Sequence, residues 1–201
     1  MSLGQTELSE LLFAYFPKNY IGTLLEAGGG PAEYISISSY FRDLNWKIIT
    51  IEPNPDFCKQ YRDLNFDVLE YAACESDKGE VPFKISGIPE GFSALEIRYN
   101  WTGWEDDKFR TINVMALTLN TILKKHHPDI SKIDVLIIDT EGWELEVIQG
   151  FDLAKFNPTV ICMENIFLLQ SYTLYLESKG YKLDCSHGHD QIYIKIKDEE
   201  L

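Results

Sequence analysis

Four acidic clusters stand at or directly behind the ends of short apolar runs, where carboxylates can hold a cation or take up a proton. Glu26 lies in Thr23–Ala27, two residues ahead of Gly28, Gly29 and Gly30. Glu52 follows Lys47–Ile51. Asp139-Thr140-Glu141-Gly142 follows Ile133–Ile138, and Glu164 follows Thr159–Met163. Apolar runs of this length read as strands covered on both faces. In an open sheet of parallel strands the carboxyl ends form one rim, and ligands bind there.

The residue types narrow the chemistry of that rim. Glycines at 28–30 permit a tight strand-to-helix turn and close approach of backbone N–H groups to a ligand. A dinucleotide would lay its pyrophosphate on such a loop, and Glu26 opposes that charge. The same acids favour S-adenosylmethionine, whose sulfonium and ammonium are positive. Glu52 is placed to accept ribose hydroxyls, with Pro53 and Asn54 beside it. Ala72 and Ala73, near Tyr71, leave room for a flat base. Asp139 falls where a transferring methyl would lie. Glu141 or Glu164 can serve as general base toward a hydroxyl, because in-line transfer depends on positioning and on removal of the acceptor's proton.

The expected catalytic residues are therefore Asp139, Glu141 and Glu164. Glu26, Gly28, Gly29, Gly30, Glu52, Pro53, Asn54, Ala72, Ala73 and Asp139 are the expected cofactor contacts. No metal ligand is assigned: His187-Gly188-His189-Asp190 reads as a turn. Cys58, Cys74, Cys162 and Cys185 share no CxxC spacing and read as free thiols. Tyr99, Trp101 and Trp104 are candidates to line a substrate pocket. Two other readings stay open: an NAD-linked oxidoreductase on the same sheet, and a non-catalytic module that holds the ligand.

The elements that must position these groups alternate between β-type and amphipathic helical runs, as in a mostly parallel α/β sheet. A leading helix is expected over Thr6–Phe16, stopped by Pro17. Strands are expected at 23–27 and 47–51, with a helix to about Asp43 between them. The next helix, to about Leu64, is capped by Asn54 with Pro55 at its first position. A third strand is read at Asp67–Tyr71, a hairpin turn at Asp77–Glu80, a strand at Val81–Ser86, and a long loop over Ser86–Arg110. Then come a strand (Ile112–Thr118), a helix (Leu119–Lys125), a strand (Ile133–Ile138) and a helix (Trp143–Gln149) ended by Gly150. A strand at Thr159–Met163 precedes a helix over Ile166–Ser178. The last two strands, Tyr181–Cys185 and Gln191–Lys197, have no helix between them and must run antiparallel. The expected fold is a doubly wound, Rossmann-like α/β sheet of seven-stranded type with an antiparallel strand at its end and an inserted region around 80–117.

Length and composition agree with one domain over 1–201, with residues 1–20 as a helical extension. Of 201 residues, 45% are hydrophobic and 25% charged, which excludes a disordered chain. The net charge of −14 repels phosphate backbones, so nucleic acid is not an expected partner. Lys124-Lys125-His126-His127 reads as the solvated end of a helix. No apolar run is long enough to span a membrane and no secretory signal is read, so the expected compartment is the cytoplasm.

These residues also resemble a known family. Leu25-Glu26-Ala27-Gly28-Gly29-Gly30, Ile51-Glu52-Pro53-Asn54-Pro55, Ala72–Gly79, Leu117-Thr118-Leu119-Asn120 and Ile138-Asp139-Thr140-Glu141-Gly142-Trp143-Glu144 are similar to the FkbM methyltransferases, of the class I methyltransferase fold. The resemblance implies S-adenosylmethionine as cofactor, with contacts at Glu26, Gly28, Gly30 and Glu52, and S-adenosylhomocysteine as product. It implies Asp139 and Glu141 near the reaction centre, and O-methylation of a sugar, glycan or small metabolite. The family loop usually continues Gly-Ala-Asn-x-Gly; here Gly30 stands for the asparagine and Ala32 for the last glycine.

Overall fold

Successive residues of the central strands divide between two faces, as a period of two requires. The computed structural model describes residues 3–32, 36–86, 93–95 and 109–196. In chain order these form α1 (Leu3–Phe13), β1 (Thr23–Ala27), α2 (Ser39–Asp43), β2 (Lys47–Ile51), α3 (Pro55–Asp63), β3 (Val68–Leu69), β4 (Ala72–Ala73), β5 (Gly79–Ser86) and β6 (Phe109–Leu117). They continue as α4 (Leu119–His126), β7 (Val135–Ile138), α5 (Glu144–Gln149), α6 (Leu153–Phe156), β8 (Val160–Glu164), α7 (Gln170–Glu177), β9 (Tyr181–His187) and β10 (Asp190–Lys195).

Seven strands make one sheet in the order β3-β2-β1-β7-β8-β10-β9. The pairs from β3 to β8 are parallel, and β10 is antiparallel to both neighbours. The antiparallel strand is therefore not the edge of the sheet; it is inserted between β8 and β9. Leu25, Leu136, Ile138, Ile161 and Met163 pack on one face with α4, α5, α6 and α7. Leu24, Val135, Ile137, Val160 and Cys162 pack on the other with Leu8 and Leu12 of α1 and Phe41 of α2. Among the described residues no helix is long and apolar enough to cross a membrane.

A second, three-stranded sheet has the order β4-β6-β5, with Ala72, Phe83, Ile85, Val114 and Ala116 buried beneath it. It corrects two expectations. The third strand does not run through 67–71 but splits into β3 and β4, which join different sheets. The Asp77–Glu80 turn is not a hairpin, because β4 and β5 lie on opposite sides of β6. Asp77 instead accepts from the Thr118 N–H and the Thr121 hydroxyl, tying the turn to the start of α4.

Helix boundaries moved for local reasons. The helix before β9 begins at Gln170 rather than Ile166, because Leu168 has φ 50 and the Asn165 side chain brackets Leu169 through both its N–H and its carbonyl. The leading helix runs Leu3–Phe13, and α2 starts only at Ser39. The short α6 was not foreseen. Asn54 does cap α3, its Oδ1 accepting from the Asp56 N–H at 3.0 Å, with Pro55 first in the helix. Gly150 ends α5 at φ −82, so it is not a left-handed cap; a Cβ there would lie 2.4 Å from the Cys74 carbonyl oxygen. Tyr99, Trp101, Trp104 and most of the Ser86–Arg110 loop lie outside the described residues.

Candidate functional site

Strand register puts the acids on one line. Ala27 pairs with Ile51 on one side and Ile138 on the other, and Ile138 pairs with Met163. One residue further along, Gly28, Glu52, Asp139 and Glu164 follow side by side. The inserted antiparallel strand adds a fifth position, since Asp190 at the start of β10 pairs with Glu164. A strand running the other way brings its first residue to the rim where its neighbours end.

Above this line opens a cavity of about 310 Å³, inside the ~300–1,000 Å³ range of small-molecule clefts. Glu26, Gly28, Gly30, Glu52, Pro53, Ala72, Ala73, Asp139, Glu141 and Glu164 line it, as does Asp190. Among the described lining residues six are carboxylic acids and none is lysine, arginine or histidine. Two of the expected contacts lie behind the wall. Asn54 is spent on the helix cap, and Gly29 is packed inside the turn, where a Cβ would lie 2.4 Å from the Thr50 methyl.

Each acid is held differently. Glu26, 1% exposed, accepts from the Ser38 hydroxyl at 2.6 Å, the Ser36 hydroxyl at 3.1 Å and the Ser38 N–H at 3.2 Å. Burial raises its pKa, opposed by the nearby Arg42 guanidinium and these donors. Glu52, 4% exposed, accepts from the Gly30 N–H at 2.9 Å and the Asn54 N–H at 2.7 Å. Burial pushes its carboxyl up to about 7, against those bonds. The glycine turn is thus internally occupied: the Gly28 N–H donates to the Ile51 carbonyl, and Glu52 takes the Gly30 N–H.

At the other end, Asp139, Glu141 and Glu164 each offer a carboxylate oxygen, all within 4.8 Å of one another. That spacing lets one proton be shared, or one hard divalent cation held. Burial, then the neighbouring charge of Glu164, raises Asp139 well above the carboxylate range. Burial and the charge of Asp139 push Glu141 up to about 9. Burial and the charge of Glu141 raise Glu164, whose Oε2 is buried without a hydrogen-bond partner among the described residues. Asp190, pushed up to about 6 by burial, is the fourth acid at this end of the cavity.

The model of the methyltransferase FkbM domain matches residues 20–183. The chain belongs to the FkbM methyltransferase family. Among solved structures it is similar to the methyltransferase FkbM from Methylobacillus flagellatus KT, with a TM-score of 0.53 at 14% identity. The match covers 87% of this chain but only 44% of that one, so the chain spans less than half the length of that relative. At this identity the likeness speaks for the fold. No curated protein matches the chain.

Two residues that line or brace the cavity were not among the expected site residues. Asp190 sits in a segment that reads as a turn, and it does form one: Gly188, φ 61, opens the two-residue connection between His187 and Asp190. Its place at the rim follows from β10 being inserted beside β8, which the chain order of the elements does not reveal. Glu144, 1% exposed, lies beneath the cavity and braces the Asp139–Gly142 turn. Three acids in one hexapeptide were the available signal for it.

Proposed function

We propose that this protein binds S-adenosylmethionine in the rim cavity and methylates a hydroxyl of a sugar, glycan or small metabolite. The observation that carries the reading is the pairing of a lining whose described charged residues are all acids with a glycine turn already filled by Glu52. A pyrophosphate needs the N–H groups of such a turn, and here a carboxylate holds the Gly30 N–H. That arrangement disfavours an NAD-type dinucleotide and favours a cationic ligand without phosphate.

The residues fit that cofactor in three places. Glu52 keeps acceptor capacity for ribose hydroxyls beyond the bonds it takes from the backbone N–H groups of Gly30 and Asn54. Ala72 and Ala73, 3% and 7% exposed, offer a small-residue wall for a flat base. Gly28 and Gly30, with Glu26 behind them, border the place for the methionine end, and Pro53 lies against the cavity beside Glu52. When bound, the cofactor supplies an electrophilic methyl on a positively charged sulfur. The cofactor's positive charge would favour the ionised form of Asp139, whose carboxylate would then lie beside the sulfur. Ionised Glu141 or Glu164 accepts the acceptor hydroxyl's proton, so that a methyl ether and S-adenosylhomocysteine are the products and the proton ends on the carboxylate.

Thermal unfolding with ligand tests this directly. S-adenosylhomocysteine at about 100 times its dissociation constant should stabilise the protein by about 2.7 kcal/mol, with NAD giving no comparable shift. Glu52→Ala should remove most of the S-adenosylhomocysteine shift. A larger shift with NAD than with S-adenosylhomocysteine would reject the assignment. Transfer of labelled methyl to a panel of neutral sugars tests the hydroxyl acceptor.

A further inference from the structure

Between β7 and α5 the backbone does something a simple strand-to-helix turn does not require. Glu141 has φ 56 and Gly142 φ 91, two consecutive residues in left-handed conformation. For glutamate that conformation is strained by its Cβ, and it persists only where the surroundings over-determine it. Glu141 also lines the cavity, so the strained residue is one of those aimed at the ligand.

The over-determining group is Glu144. It sits at the first position of α5, 1% exposed, with its side chain turned back under the turn. One carboxylate oxygen accepts from the Thr140 N–H at 2.8 Å and from the Gly142 N–H at 2.9 Å. The other accepts from the hydroxyl of Tyr172 on α7 at 2.8 Å. The bonded N–H groups belong to the residues on either side of Glu141, so the Asp139–Thr140 and Glu141–Gly142 peptides are held to one oxygen and Glu141 is bracketed between them. Tyr172, 2% exposed, belongs to the core and anchors the brace to a separate helix.

We propose that Glu144 is a positioning residue of the site, closing the Asp139–Gly142 turn from inside the fold and thereby holding Glu141 against the cavity. Glu144 acts through Glu141 and does not itself line the cavity. The inference rests on the reading that Glu141 works beside the bound cofactor. That reading and the brace fail separately.

The experiment uses the full chain labelled with ¹³C at glutamate carboxyls, with S-adenosylhomocysteine as the probe, and compares wild type with Glu144→Ala, Glu144→Gln and Tyr172→Phe. In Glu144→Ala the Thr140 and Gly142 amides should exchange about ten-fold faster or more, while those of Leu25 and Leu136 keep their protection. Its Glu141 resonance should lose its response to the probe although calorimetry still detects binding. Glu144→Gln retains an acceptor oxygen and should restore both properties; Tyr172→Phe should give an intermediate result. Wild-type amide exchange and a wild-type Glu141 response in Glu144→Ala would overturn the proposal. Should Glu144→Ala fail to fold, Tyr172→Phe decides, and unchanged exchange at Gly142 in that variant counts as the overturning result. If the probe binds wild type without moving Glu141, the reading of the site is wrong, and the amide exchange alone decides the brace.

Discussion

Replacing Gly28 by alanine is expected to cost about 3 kcal/mol of stability or more and to abolish ligand binding at the rim. An alanine Cβ would lie 1.6 Å from the Asp139 carbonyl oxygen and 2.7 Å from the carbonyl carbon, at φ 86. The obstacle is backbone, and it cannot swing aside. Asp139 is tied back to β1 by its N–H to the Ala27 carbonyl, and Gly28 is tied to β2 by its N–H to the Ile51 carbonyl, both at 2.9 Å. Relief would require β1 and β7 to part at the place where both feed the site. Gly79→Ala is the matched control: its φ is 75, but nothing lies within 4 Å of the added Cβ. It should show only the left-handed strain, roughly 1–2 kcal/mol. Urea unfolding midpoints at unchanged m-value measure both. Equal losses in the two variants would mean that the close approach of Asp139 to the glycine turn does not govern the site.

That contact illustrates what the sequence discloses and what it withholds. β1 and β2 were legible to the residue because apolar runs bounded by turn residues leave little choice of period. The acids behind them were legible for the same reason, since parallel strands of known ends make a rim without any knowledge of packing. Strand order was harder. Asp190 reaches the site only because β10 enters between β8 and β9, a choice made by non-local burial of Ile192 and Tyr193 rather than by any local signal. The second sheet was missed likewise, because the two-residue β4 is defined by its partner β6 and not by its own pattern. Two glycines serve packing that no local pattern discloses. Gly29 was read as a ligand contact, yet it makes room for Tyr61, whose hydroxyl donates to the Gly29 carbonyl at 2.7 Å. Gly150 was read as the stop of a helix, and it does follow Gln149, but what its missing side chain provides is clearance for the Cys74 carbonyl. A glycine's reason lies in what approaches it, and approach is a tertiary fact.

Stability should fall, not rise, as pH climbs from about 5 to about 9. Glu52 has its pKa raised from 4.5 to about 7 and Glu141 from 4.5 to about 9, both mainly by burial. A carboxyl with a raised folded-state pKa binds its proton more tightly in the folded protein. Its contribution is complete below the unfolded value near 4.5 and is lost as pH rises through the folded value. For Glu52 alone the loss is on the order of 3 kcal/mol once pH exceeds 7. Asp134 works in the opposite sense at lower pH. Burial opposes its ionisation, but Lys132, the Thr23 N–H and Tyr20 hold it below the usual range, so its contribution disappears as the solution becomes strongly acidic. The two trends place the most stable pH in mild acid. A ligand bearing a sulfonium reverses the first trend, because positive charge beside Asp139, Glu141 and Glu164 favours their ionised forms. Binding of S-adenosylmethionine near pH 8 should therefore release protons, and S-adenosylhomocysteine, which lacks the sulfonium charge, should release fewer. Melting temperatures across this range, and binding heats in buffers of different ionisation enthalpy, give both quantities. Glu141→Gln should flatten the upper part of the stability profile and shrink the proton release. A melting temperature that rises steadily from pH 5 to pH 9 would mean that these carboxyls ionise in the folded protein as they do in water, and the picture of an acid-lined, desolvated cradle would fail with it.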